Sequence, residues 1–90
     1  MPTIRIPAPL RKLTNNQEEV PAEGAFLGDI LDELNRTYPG FAERILDEQG
    51  EIRRFVNIFV NDEDVRFLQE RKTPVKDTDV ISIVPAIAGG

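Results

Sequence analysis

One stretch of this chain carries a helical stripe of apolar residues, and almost every other stretch long enough to form an element reads as a strand. Leu27, Ile30, Leu31 and Leu34 recur at i, i+3, i+4 and i+7, one face of an α-helix, with Asp29, Asp32, Glu33 and Asn35 on the other side. The spacing predicts a helix from Ala25, with Glu23 or Gly24 serving as its cap and Gly28 weakening the first turn. Tyr38-Pro39-Gly40 ends it, because proline cannot continue a helix and pushes the preceding residue out of the α region. Phe41 to Leu46 adds a short further turn, with Phe41, Ile45 and Leu46 tucked under the domain, and Asp47 to Glu51 is a solvated loop. A single amphipathic helix can cover one face of one sheet. The size agrees, since a chain of 90 residues buries only about 60–65% of its unfolded surface.

The strands are read from period-2 patterns and turn residues. Thr3-Ile4-Arg5-Ile6 alternates, with Ile4 and Ile6 inward, until Pro7 and Pro9 forbid a regular ladder and leave Leu10 and Leu13 to pack individually. Thr14-Asn15-Asn16-Gln17 is a turn, because asparagine tolerates positive φ, and Glu18-Glu19-Val20 returns as the second arm of a hairpin before Pro21 stops it. Arg54 to Val60 is the strongest strand. Its Val56, Ile58 and Val60 face is placed against the helix, since burying Asn57 on the Phe55, Asn57 and Phe59 face demands satisfied hydrogen bonds. Asn61 to Asp64 is a turn, Val65-Arg66-Phe67 a short strand, and Leu68 to Asp79 a polar connection. The order of hairpin, helix, strand, short strand and strand predicts an α+β fold: a mixed sheet of about four to five strands with one main helix on one face, the β-grasp arrangement.

The final strand, Val80 to Val84, is short, apolar and β-branched, and Pro85, which has no amide donor, ends its pairing. Ala86, Ile87, Ala88, Gly89 and Gly90 then carry no side-chain charge and finish in two glycines. Nothing in that composition favours folding back, so residues 1–85 are expected to form the domain and 86–90 a flexible tail. Fully extended, the five residues after Pro85 reach about 17 Å. Two successive glycines lack Cβ atoms, so a narrow channel in another protein can close around their backbone. The reactive group is then the terminal carboxylate of Gly90.

Composition narrows the chemistry. The chain has no cysteine and no histidine, which removes thiolate chemistry, zinc–sulfur sites, the usual general base and the commonest metal ligand. Catalysis by its own side chains is not expected. A formal charge of −5 disfavours a nucleic-acid partner, which needs a basic face. No apolar run approaches the roughly 20 residues of a bilayer span, and no charged-then-apolar leader opens the sequence, so a cytoplasmic protein without membrane attachment is expected. Asp62, Glu63 and Asp64 lack the loop glycine and distal glutamate of a calcium site, and they read, like Asp77 and Asp79, as solvated turns.

At this point the sequence resembles a family. The segment Phe55-Val56-Asn57-Ile58-Phe59-Val60-Asn61-Asp62-Glu63-Asp64-Val65-Arg66-Phe67 and the end Pro85-Ala86-Ile87-Ala88-Gly89-Gly90 resemble the ubiquitin-like sulfur carrier family (MoaD, ThiS and CysO types), most closely its cysteine-biosynthesis branch, CysO. The resemblance implies that an ATP- and Mg-dependent, E1-like adenylyltransferase and sulfurtransferase activates Gly90 and converts its carboxylate to a thiocarboxylate. Gly89, Ala88, Ile87 and Ala86 would lie in the partner's channel. The carrier itself would bind no cofactor. In the cysteine route the thiocarboxylate attacks an aminoacrylate on a pyridoxal-phosphate (PLP) cysteine synthase, and a metalloprotease releases the product. The runner-up within the family is the small subunit of molybdopterin synthase, held by the large subunit.

Two readings from other classes stay open: a ubiquitin-like modifier conjugated to lysines through Gly90, and a non-covalent interaction domain. A docking face for the activating enzyme is expected from Val84, outward at the root of the tail, with Phe55, Phe59 and Arg66. Phe55 and Phe59 are alternatively covered by the 68–79 connection or the Phe41 turn. Arg53, Arg54, Arg66, Arg71 and Lys72 either steer an acidic partner or are solvated surface.

Overall fold

The alternation read along the strands is realised in the burial of their side chains. Ile4, Val56, Ile58, Val60, Ile81 and Ile83 are all buried, and they meet Leu27, Ile30, Leu31 and Leu34 of the helix in one core. The computed structural model describes residues 1–85. Strands β1 (Thr3–Arg5), β2 (Glu19–Pro21), β3 (Val56–Val60), β4 (Glu63–Asp64) and β5 (Val80–Pro85) form one five-stranded mixed sheet in the order β2-β1-β5-β3-β4. Only the β1–β5 pair is parallel; β1–β2, β3–β5 and β3–β4 are antiparallel. Helices α1 (Leu27–Thr37) and α2 (Phe41–Ile45) supply the second layer, and the arrangement is the β-grasp. The expected tail, residues 86–90, lies outside the described residues.

Local chemistry moved several boundaries. The turn expected at Thr14–Gln17 is present, closed by the Gln17 amide on the Thr14 carbonyl at 3.0 Å, and the irregular stretch before it is a 3₁₀ helix, Ala8–Thr14, capped by Pro7 and carrying Pro9 in its first turn. Proline has its φ preset near the helical value, and its missing N–H costs nothing where no partner exists. The segment buries Leu10 and Thr14 and leaves through Asn15 and Asn16, both at positive φ.

Helix α1 begins at Leu27, two residues after Ala25, and Phe26 caps it without a side-chain bond. Neither Glu23 nor Gly24 is the cap. The reason is tertiary: Val75 donates its amide to the Ala25 carbonyl at 2.9 Å, Leu27 donates to the Thr73 carbonyl at 2.9 Å, and Phe26 bridges Pro74. The backbone groups that would have begun the helix are engaged in a ladder with residues 73–75.

Strand β3 starts at Val56, because Arg53 and Val56 close a turn before it. Residues Val65–Phe67, expected as a strand, form a 3₁₀ turn, and the short pairing strand precedes them at Glu63–Asp64. The Asp64 carboxylate accepts the Arg66 amide at 2.9 Å, which fixes the turn and lets Val65 fold inward. Strand β5 takes in Pro85, one residue past the expected Val84, with Pro85 as register partner of Val56, at the position where the pairing was expected to end.

The far end of β3 is clamped to the start of β5 by Asn61, which lies at φ 58°. Its amide donates to the Val80 carbonyl at 2.7 Å, its Oδ1 accepts the Val80 amide at 3.1 Å, and its Nδ2 donates to Asp79 at 3.1 Å. The other Asp79 oxygen accepts the Lys76 amide at 2.8 Å. Those bonds, the Lys76 amide first and Asn61 second, hold the Asp79 carboxyl below its ordinary range.

Both the close packing at Gly24 and the Asp79 bonds are open to test by substitution. A Cβ on Gly24 would lie 2.7 Å from Ile30 Cγ1 and 2.9 Å from the Ile30 amide nitrogen, so Gly24→Ala should lose about 1–3 kcal/mol through overpacking, read as a lowered urea midpoint. A carboxyl with a lowered folded-state value contributes stability above its unfolded value and loses it as pH falls through the folded one. Asp79→Ala should therefore cost about 0.5–1.5 kcal/mol at about pH 7, and urea titrations should show that gap closing below about pH 4.

Candidate functional site

Strand β5 is a central strand, paired to β1 on one side and β3 on the other. Strand β1 reaches only Ser82, so Val84 and Pro85 pair with β3 alone, opposite Asn57 and Val56, while Ile81 and Ile83 are anchored in the core. That ladder fixes where Pro85 stands. Ala86, Ile87, Ala88, Gly89 and Gly90, the expected reactive segment, lie outside the described residues.

Around that exit the sheet shows its second face, which no described helix covers. Register places Val84 opposite Asn57 and Ser82 opposite Phe59 there, with Arg5 beside Ser82. Val84 is 46% exposed and Phe55, just beyond the last register pair, is 60% exposed. Neither the 68–79 connection nor the Phe41 turn covers Phe55. Phe59 is half-buried between Ser82 and Asp64. Of the expected docking residues, the structure thus brings Val84 and Phe59 onto one face, with Phe55 flanking the exit.

Arg66 has a different environment from the one expected of a steering charge. Its guanidinium donates to Asn57 Oδ1 and to the carbonyls of Arg54 at 2.9 Å, Val56 at 2.8 Å and Arg53 at 3.3 Å. It bolts the turn before β3 to the outer face of the sheet, and so holds the backbone that carries Phe55. This also answers how Asn57 is satisfied: its side-chain oxygen faces a cation. Arg71 is likewise structural. It lies over Gly28, donates to the Gly50 carbonyl at 3.0 Å and pairs with Asp32 at 3.5 Å. A Cβ on Gly28 would stand 3.2 Å from the Arg71 carbonyl oxygen, a tight contact. Arg53 reaches the Glu43 carbonyl at 3.2 Å.

The reading from sequence missed Phe67. It was expected in a short strand, Val65-Arg66-Phe67; in the 3₁₀ turn it is 87% exposed. The available signal was Asp64, a turn-capping residue at the start of the segment. Among the described residues no group of histidine, cysteine, aspartate or glutamate is arranged to hold a metal ion.

The model of the ThiS family matches residues 4–90. The chain belongs to the ThiS family. It is 46% identical over 90 residues to the sulfur carrier protein CysO of Mycobacterium tuberculosis, covering 98% of this chain and 97% of that one. It is 37% identical over 68 residues to small archaeal modifier protein 3 of Haloferax volcanii, covering 76% and 73% of the two chains. A crystal structure of the BexX/CysO complex of Amycolatopsis orientalis contains a chain that superposes with a TM-score of 0.94 at 40% identity, covering 100% of both chains. The resemblance to ubiquitin-like sulfur carriers of the CysO type is borne out by these matches.

The staple role of Arg66 separates from a steering role by substitution. Arg66→Lys keeps the charge but cannot reproduce the planar fork, so both it and Arg66→Ala should cost about 1–2 kcal/mol. Hydrogen exchange at residues 53–57 should quicken in both. Rescue by lysine would instead indicate that charge alone matters.

Proposed function

We propose that this ThiS-family protein is a sulfur carrier whose Gly90 carboxylate is activated by a partner enzyme and converted to a thiocarboxylate. The observation that carries the reading is the near full-length likeness to a sulfur carrier protein, with a family match that runs through to Gly90. The sheet supports it, because β5 is paired on both sides over Val80–Ser82 and to β3 as far as Pro85, and can present the residues after Pro85 at a defined spot. A carboxylate is a poor electrophile. In the proposed chemistry its oxygen attacks the α-phosphorus of ATP in an E1-like enzyme, with Mg, and pyrophosphate leaves. A sulfur nucleophile then attacks the acyl carbon and AMP departs, which leaves sulfur bound to the carbonyl of Gly90. None of these steps asks for a side chain of the carrier, in keeping with a sequence without cysteine or histidine.

Val84, Phe55 and Phe59 form the proposed contact with the activating enzyme, around the exit of the chain. Gly89, Ala88, Ile87 and Ala86 would line that enzyme's channel. Cysteine synthesis is the proposed use of the sulfur, through a PLP-dependent synthase, in line with the likeness to CysO. A second reading, a modifier joined through Gly90 to lysines of other proteins, is favoured by the likeness to a small archaeal modifier protein.

Intact mass spectrometry of the protein from its native cell, under sulfur demand and with its activating enzyme present, should show sulfur replacing one oxygen on Gly90. One residue appended after Gly90 should abolish the change. An unaltered mass in the unmodified chain would sink the carrier reading, and high-mass adducts on denaturing, reducing immunoblots would support the modifier.

A further inference from the structure

We propose that Arg66 is a positioning residue for the activation of Gly90: acting through β3, it sets where the end of β5 stands when the activating enzyme takes up the carboxylate. The inference rests on the sulfur-carrier reading and adds a residue to it. Strand β1 reaches only Ser82, so Val84 and Pro85 are paired with Asn57 and Val56 alone. The Asn61 amide bonds the Val80 carbonyl, and the alternation of an antiparallel ladder then turns the amides of Ser82 and Val84 towards β3. Pro85 has no amide to give, so Val84 is the last donor that β5 offers. Where Val56 and Asn57 go, the end of β5 follows.

Those two residues open β3, and strand pairing holds them on one side only. On the other side β4 is two residues long and reaches just Phe59 and Val60. Among the described residues no strand lies beside that edge of β3 at Val56. Arg66 stands in its place. Its Nη2 donates to the Val56 carbonyl at 2.8 Å, the Arg54 carbonyl at 2.9 Å and the Arg53 carbonyl at 3.3 Å, and its Nη1 donates to Asn57 Oδ1. Both partners of the end of β5 are thus bonded to one guanidinium. The backbone beneath it is fixed in turn, by the Asp64 carboxylate on the Arg66 amide at 2.9 Å and by the buried Val65. None of the acceptors is a carboxylate. The group is used for its planar fork, which a lysine ammonium cannot reproduce.

Activation asks for placement. The Gly90 carboxylate has to meet the α-phosphorus of ATP in line, and a misplacement of about 1 Å can cost about 10²-fold in such a step. A frayed start of β3 would deprive Val84 and Pro85 of their partners and deliver the carboxylate from a spread of positions. That loss is felt after docking, in kcat. Phe55 is carried by the same turn, so a loss of docking would appear in KM instead.

The test compares the full-length protein with Arg66→Ala, Arg66→Lys and, as a control whose stability is lowered elsewhere, Gly24→Ala. In both Arg66 variants the quickening of amide hydrogen exchange at Val84 should exceed that at Ile81 by about fivefold or more; in Gly24→Ala it should not. Carrier-dependent release of pyrophosphate from ATP by the adenylating enzyme of the native cell, measured well below the unfolding temperature, should lose about tenfold in kcat in both Arg66 variants, with KM changed by less than about threefold. Gly24→Ala should keep the kcat of the unmodified chain. A raised KM at unchanged kcat would assign Arg66 to docking, and full recovery by lysine would assign it to charge. Either would overturn the proposal, as would equal exchange at Val84 and Ile81. Full kcat in both Arg66 variants sinks this role alone, whereas an unmodified chain that releases no pyrophosphate sinks the carrier reading and this role with it.

Discussion

Everything in this molecule depends on the double pairing of β5. It lies parallel to β1 and antiparallel to β3, and its Ile81 and Ile83 enter the core that α1 closes. The β1 ladder covers Val80–Ser82 and the β3 ladder Ile81–Pro85, and a slip of one residue would turn the apolar set of β5 out to water. The register therefore fixes where residue 85 stands, and with it the point from which the chain departs. An edge strand would give the same sequence of residues a far less certain exit.

The polar side chains that matter most act as fasteners at the two ends of β3. At its start, Arg66 gathers the carbonyls of the preceding turn. At its end, Asn61 closes onto Val80 and Asp79. Arg71 performs a comparable service between α1 and the loop at Gly50. Small domains have little core with which to hold their loops, so hydrogen bonds from charged groups to main-chain carbonyls take a larger share. In consequence the side chains of Arg66, Arg71 and Arg53 are bonded to main-chain carbonyls of neighbouring segments.

The division of labour is consistent with a protein whose chemistry is carried out by others. Membership of the ThiS family and the near full-length likeness to a sulfur carrier protein bear on the segment after Pro85. The described part supplies the sheet from which that segment leaves, with β5 paired to β3 as far as Pro85.

The β-grasp order, the inward faces of β1, β3 and β5, the core of α1 and the capacity for chemistry without cysteine or histidine were legible in the sequence. They rest on periodicity and composition, which are local. The start of α1 was not legible, because residues 73–75 bind the main chain of Ala25 and Leu27 across a separation of about fifty positions. The fate of Phe67 was not legible either, since the segment turns at Asp64 and Phe67 is left outside while Val65 stays buried. Nor could a list of cations show that Arg66 and Arg71 are spent on carbonyls. By itself the sequence determined which residues had to be inside and what chemistry the chain lacks. Only the tertiary structure decided which polar groups were left facing outward, because hydrogen bonds are allotted between segments that meet only once the chain is folded.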